Sequence, residues 1–305
     1  MRNLILRVVP FAALAALATG CVAQAGDGEL ASSSSSDAPT AAPEGAHVAK
    51  PASELTITGP IEFPKVCAYN VKNQNGGITL SNPIIVNLFM GNYWETTQGQ
   101  ADMAAVNAAW KGMAGQAQLY QPITEYETPG VGSFWGSDWV GFGADQGTGS
   151  VVNQVQESLI QSFIDFELLE HRAPAPSYTQ TIYFVYVGKG AYSQYDTTNG
   201  FNGHHKWYAS KQAGQTVHYA VIDYESSLAS FTQIAYHELM EAMTDPEGTA
   251  FYDPKTSEGE IGDMCEISAS YDWGKYNIQQ IWSQKACGCI SAPNPPVIIR
   301  FPPLN

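Results

Sequence analysis

Apolar positions along the chain fall into short runs suited to strands and longer stretches with helical spacing. Ile84 to Phe89 is a short, partly β-branched apolar run, as a buried strand requires, and a loop rich in Gly, Asn and Trp follows at Gly91 to Trp94. Ala101 to Gly115 places Ala105, Ala108, Ala109 and Met113 at helical spacing. Val151 to Glu170 predicts a second helix, with Val152, Val155, Leu159, Phe163, Phe166 and Leu169 on one face. Ile182 to Val187 and Val217 to Ile222 have the aromatic and β-branched content of strands. Between these elements, Gly130 to Gly149 holds seven glycines around Phe134, Trp135, Trp139 and Phe142, and reads as a structured aromatic loop. Strands alternating with helices predict an α/β or α+β protein, a mixed β-sheet packed with helices.

The first 54 residues do not share this pattern. Arg2 and Arg7 precede an apolar run from Val8 to Ala18 that closes on small residues, the layout of a secretory signal. Leu17-Ala18-Thr19-Gly20-Cys21 resembles the lipobox of bacterial lipoproteins, which implies a lipid on Cys21, although an ordinary signal cut near Ala23 or Ala25 is the alternative. Residues 22 to 51 are rich in Ala, Ser, Pro and Gly, with five consecutive serines at 32 to 36, and are too poor in large apolar groups to bury a core. The expected organisation is a signal peptide at 1–20, a lipidated Cys and flexible tether at 21–54, and one globular domain at 55–305. Such a chain is exported and held by its lipid anchor to the cell envelope, at an outer membrane or the cell surface. Cys67, Cys265, Cys287 and Cys289 remain, an even number for an oxidising compartment. Cys287 and Cys289 flank a single Gly, so each is expected to pair outwards, one with Cys67 and one with Cys265.

Charge narrows the partners. With 29 acidic and 14 basic residues, and a net charge of -15, the chain has no basic stripe for nucleic acid. The acidity is local: residues 223 to 272 hold 12 of the 29 acidic side chains and one basic one, Lys255, so this segment carries -11 of the net -15.

The segment also carries the chemistry. Ser230-Phe231-Thr232-Gln233 has the form of a capping box, which places a helix start at Ser230, and Pro246 with Gly248 ends it near Thr244. Phe231, Ala235, Leu239, Ala242 and Met243 make an apolar face, while His237 and Glu241 stand together one turn apart on a polar face. His237-Glu238-Leu239-Met240-Glu241 is thus an H-E-x-x-E sequence, the H-E-x-x-H helix of zinc peptidases with Glu for the second His. A hydrogen bond between His237 and Glu241 on a helix surface would account for the same residues. A metal needs a third protein ligand, and Asp245 is roughly 12 Å of helix rise from His237, too far to share it. Asp263 is the first choice and Glu260 the next, both in Gly259-Glu260-Ile261-Gly262-Asp263-Met264-Cys265.

Taken together, His237 to Pro246, Ala250-Phe251-Tyr252 and Glu260-Ile261-Gly262-Asp263-Met264-Cys265-Glu266 resemble the phosphate-induced protein 1 family, the EXORDIUM and EXORDIUM-like proteins, with its H-E-L-A-E, A-W-Y and E-I-G-D-x-C blocks. Gly91-Asn92-Tyr93-Trp94 is similar to its Y-G-N-W, and Asn202-Gly203-His204-His205-Lys206-Trp207-Tyr208 to its C-G-F-H-Y. Asn202 stands for the family's Cys and Phe251 for its Trp, so one family disulfide is absent or rearranged. The resemblance implies an extracellular protein comparable with zincin metallopeptidases, and no defined activity. From the chemistry, His237, Glu241 and Asp263 or Glu260 would hold Zn²⁺, and Glu238 would be the general base toward the hydrolytic water. Two carboxylates and one His form a hard, anionic donor set, which keeps Mn²⁺ and Ca²⁺ open. His205 is expected to be an alternative ligand or to polarise a substrate carbonyl, with a surface hydrogen-bonding role for His204 or His205 as the alternative. Asp245 would orient His237, or simply end the helix.

Three functions from different classes fit these residues. The first is a zinc metallohydrolase, most readily a metallopeptidase, acting on an extracellular peptide. The second is a non-catalytic module binding glycan or protein through aromatic loops around Trp94, Trp135 and Trp139. The third is a structural lipoprotein in which His237, Glu241 and Asp263 form a buried hydrogen-bond network.

Overall fold

A computed structural model describes residues 67–127, 130–141, 153–199, 201–256, 259–268 and 270–295. The signal expected at 1–20, the lipidation expected at Cys21, the tether expected at 21–54 and the domain start expected at residue 55 lie outside the described residues. No helix among the described residues is long and apolar enough to cross a membrane.

The apolar runs predicted as strands form the centre of a five-stranded sheet. In chain order its strands are β1 (Ile84–Met90), β2 (Ser133–Val140), β3 (Thr181–Val187), β4 (Gly203–Ser210) and β5 (Gln215–Ile222). Their spatial order is β2-β1-β3-β5-β4, parallel except for β4, which runs antiparallel to β5 at the edge. Strands buried on both faces read as continuous apolar runs, which is why β1, β3 and β5 are legible. Ile85, Phe89, Ile182, Phe184, Tyr186, Ala220 and Ile222 face one half of the core, where the helices α1 (Thr97–Met113) and α3 (Leu228–Thr244) pack. The alternate residues Val86, Leu88, Met90, Tyr183, Val185, Val187, Val217, Tyr219 and Val221 face the other, covered by α2 (Glu157–Leu169). The chain is therefore an α+β protein with a mixed sheet between helical layers.

Three sequence expectations change. The glycine-rich segment from 130 contributes the edge strand β2; Trp135 is an extra residue between the pairs Ile85↔Phe134 and Val86↔Gly136. That bulge and Gly136, at φ 150°, break the alternation by which a strand is recognised. Second, the predicted helix from Val151 begins only at Glu157. Asn153–Val155 is instead a short strand parallel to Ala191–Ser193, and the buried face is Ile160, Phe163, Ile164, Glu167 and Leu168, with Leu169 52% exposed. Third, α3 starts before the expected cap: the Ser227 hydroxyl accepts from the Ser230 N–H at 3.1 Å, so Ser227 is the N-cap and Ser230 lies within the first turn. Its end at Thr244 is as expected, and Asp245 leaves helical geometry ahead of Pro246.

Two disulfides close the domain, Cys67–Cys287 and Cys265–Cys289, the outward pairing expected from the sequence. The second pins the acidic segment to the C-terminal strands, and the Trp282 N–H donating to the Ile261 carbonyl at 2.9 Å fixes it further.

Glu167 on α2 gives the fold a pH dependence. Burial raises its carboxyl to about 7, against the pull of Arg172. Asp223, raised by burial to about 7, acts in the same sense. A raised carboxyl binds its proton more tightly in the folded than in the unfolded chain. Stability is then fully present below the unfolded value and falls as pH rises through the folded one. We expect unfolding free energy to drop by about 2 kcal/mol per such group between pH 5 and 8. Denaturant titrations of Glu167→Gln at both pH values should show a smaller drop than the parent; an equal drop would remove Glu167 as its source.

Candidate metal centre

Period two along β4 separates its two histidines. His205 pairs with Ala220, which faces α3, and His204 with Val221, which faces α2. His204 is held away from the cleft chemistry, its Nδ1 2.7 Å from Asp196 Oδ1 and its Nε2 3.3 Å from Glu157 Oε2. Burial works against its protonation, but those two carboxylates raise it to about 9. His204 is a buried ion-paired residue, and neither histidine is the surface group the sequence left open.

The other face of β4, the last turns of α3, the 259–263 segment and the strand Tyr276–Gln279 enclose a cleft of about 340 Å³. His205, His237, Glu238, Glu241, Glu260, Asp263 and Gln279 all line it. The H-E-x-x-E residues converge as the helical spacing requires: His237 Nε2 is 3.1 Å from Glu241 Oε2. Asp263 Oδ1 is 3.4 Å from the same nitrogen, so the first-choice third ligand joins the pair. One ligand atom from each of His237, Glu241 and Asp263 lies within 4.8 Å of the others, close enough for one ion to draw them together. Glu260 instead faces His205, with Oε1 3.3 Å from Nε2.

Glu241, 3% exposed, is anchored by one oxygen only. Its Oε1 accepts from the Gly262 and Asp263 N–H groups at 3.1 and 3.0 Å, leaving Oε2 directed at the two histidines. Gly262 is required here for space, since a Cβ would lie 2.7 Å from that Oε1. Glu238, 4% exposed, places Oε2 3.3 Å from His205 Nδ1 and Oε1 4.0 Å from His237 Nε2. Asp245 does not touch His237. Its carboxylate accepts from the Ala250 N–H at 2.6 Å and shapes the chain after the helix, the plainer of its two expected roles. Its carbonyl, however, lies 3.3 Å from His205 Nε2.

Gln279 decides which nitrogen of His237 is available. Its amide Nε2 donates to the Gly262 carbonyl at 2.7 Å, so its Oε1, 3.1 Å from His237 Nδ1, is an acceptor. Nδ1 therefore carries the hydrogen, and in the neutral ring the bare Nε2 faces the carboxylates of Glu241 and Asp263. Lone pair against carboxylate is repulsive unless a proton or a cation lies between them. Burial disfavours protonation, yet Glu241 and Asp263 push His237 well above its ordinary value. Burial also pushes Glu241 up to about 8, with Asp263 and Glu260 adding to the rise and His237 opposing it. Protons and a divalent cation would compete for these atoms, and the donor set of one imidazole and two carboxylates fits such a cation. Nothing in the local sequence marks Gln279; it reaches the site through the hairpin of Ser270–Trp273 and Tyr276–Gln279. We expect Gln279→Leu to weaken zinc affinity about 10- to 100-fold without altering the ligands. Competition titration with a chelator would measure it, and unchanged affinity would rule out the orienting role.

The aromatic loops divide. Trp94 is fully buried and its indole N–H donates to the Tyr186 carbonyl at 3.2 Å, so it offers no binding surface, whereas Trp135 is 50% exposed on the bulge. The chain matches no family model and no curated protein.

Proposed function

We propose that the protein is an exported, membrane-tethered zinc metallohydrolase, a peptidase in its most specific form, of the phosphate-induced protein 1 type. The supporting observation is His237, whose Nδ1 is engaged by Gln279 so that Nε2 faces Glu241 and Asp263 in an open cleft. Residues 1–20 direct export, and Cys21 carries the lipid that anchors the tether in the cell envelope.

His237, Glu241 and Asp263 would hold the ion, with Mn²⁺ or Ca²⁺ as the alternatives for so carboxylate-rich a set. A bound Zn²⁺ supplies Lewis acidity, polarising a carbonyl and acidifying water. Glu238 then takes the proton from the attacking water and passes it to the leaving amine. His205, at 3.3 Å from Glu238 Oε2, keeps that carboxylate turned into the cleft. The edge strand β4 borders the cleft, so an extended peptide has room along it.

Elemental analysis of the purified full-length protein, with and without His237→Ala, tests this reading. Bound zinc in the parent and its loss in the variant are expected. Metal-free parent protein whose thermal stability does not change on adding zinc would replace it with the hydrogen-bond network reading.

A further inference from the structure

A second set of ligand atoms lies beside the first. His205, Glu241 and Glu260 also each offer one ligand atom within 4.8 Å of the others, and the two sets have only Glu241 in common. Glu241 Oε2 is 3.1 Å from His237 Nε2 and 3.7 Å from His205 Nδ1, so one carboxylate oxygen faces both rings.

His205 sits between acceptors on both ring nitrogens. Its Nε2 lies 3.3 Å from the Asp245 carbonyl and 3.3 Å from Glu260 Oε1, and its Nδ1 lies 3.3 Å from Glu238 Oε2 and 3.7 Å from Glu241 Oε2. This side chain is 8% exposed, so water does little to relieve those contacts. Two half-buried imidazoles on different elements, His205 and His237, thus face one shared carboxylate oxygen.

The cleft is one-sided in charge. Four carboxylates, Glu238, Glu241, Glu260 and Asp263, line it, and no Lys or Arg is among its lining residues. The nearest basic group in β4, Lys206, is engaged elsewhere, 3.2 Å from Glu157 Oε2 and over the Tyr195 ring. Like-charged oxygens brought this close, two of them on nearly buried side chains, favour cations between them.

We propose that the cleft binds a second divalent cation at His205, Glu241 and Glu260, making Glu241 the bridge of a two-cation centre. This rests on the metallohydrolase reading and deepens it. Glu238 belongs to neither ligand set, so it stays free to act as base. Paired cations of this kind clamp both the attacking and the leaving oxygen of a displacement.

The test is metal content and the electron paramagnetic resonance spectrum of the full-length protein saturated with Mn²⁺, for the parent, Glu260→Gln and Asp263→Asn. About two equivalents and an exchange-coupled spectrum are expected in the parent, falling to about one equivalent and an uncoupled spectrum in each variant. One equivalent in both the parent and Glu260→Gln overturns the second site and leaves the single-metal reading standing. No bound metal in the parent overturns both. Should a variant fail to fold, the parent spectrum decides alone, because uncoupled Mn²⁺ at saturation is incompatible with a bridge.

Discussion

Glu238→Gln is expected to lower peptide hydrolysis by about 10²- to 10⁴-fold while the bound metal stays unchanged. The carboxamide has the shape of the carboxylate it replaces but no basicity, so proton transfer is the one property removed. Position supports the base role over a ligand role: Glu238 is outside both sets of converging ligand atoms, and its Oε1 stands 4.0 Å from His237 Nε2. Its Oε2 contact with His205 Nδ1 at 3.3 Å can persist in the variant, because the carboxamide oxygen accepts a hydrogen bond as the carboxylate does, so folding is not at risk. The measurement is kcat/KM on a peptide library alongside elemental analysis. Unchanged turnover with metal retained would remove Glu238 from the chemistry, and loss of metal would make it a ligand.

How much of this site is legible in the sequence follows from how local each interaction is. His237 and Glu241 are readable because a helix brings i and i+4 together whatever surrounds it. The fold class is readable because β1, β3 and β5 are buried on both faces and carry unbroken apolar runs. Edge strands are not so written: β2 hides behind a bulge at Trp135, and β4 spends its alternation on His204, His205, Lys206 and Trp207. Without β4 as a strand, the period of two that sends His205 into the cleft and His204 to the opposite face cannot be invoked. Asp263 and Glu260 were separable only as first and second choices, because they assort to different histidines through a turn whose geometry depends on Gly262 and on the Cys265–Cys289 bridge. Gln279 acts across 42 residues, and Asp245 acts on His205 through a backbone carbonyl, a group every residue has. Neither kind of contact leaves a trace in residue type or spacing.

Gly262→Ala should cost at least about 10²-fold in metal affinity and about 1 to 3 kcal/mol of stability, although no ligand is changed. A Cβ on Gly262 would lie 2.7 Å from Glu241 Oε1, 2.8 Å from His237 Nδ1 and 2.9 Å from His237 Cε1. Real contacts of that kind need several tenths of an ångström more, and the backbone cannot retreat to provide it. The Gly262 N–H is committed to Glu241 at 3.1 Å and its carbonyl to Gln279 at 2.7 Å, so any shift of residue 262 also releases the groups that orient both ligands. The added methyl therefore either rotates His237 away from Gln279 or lifts Glu241 off the 262–263 amides, and both moves separate the nitrogen and oxygen a cation must share. Gly115→Ala is the control, since a Cβ there meets nothing within 4 Å, and its stability should stay within about 0.5 kcal/mol of the parent. Chelator competition and thermal melts with and without zinc measure both effects. If Gly262→Ala binds zinc as the parent does, the ligands are not held by their contact with this turn, and the closeness of His237, Glu241 and Asp263 would have to come from α3 alone.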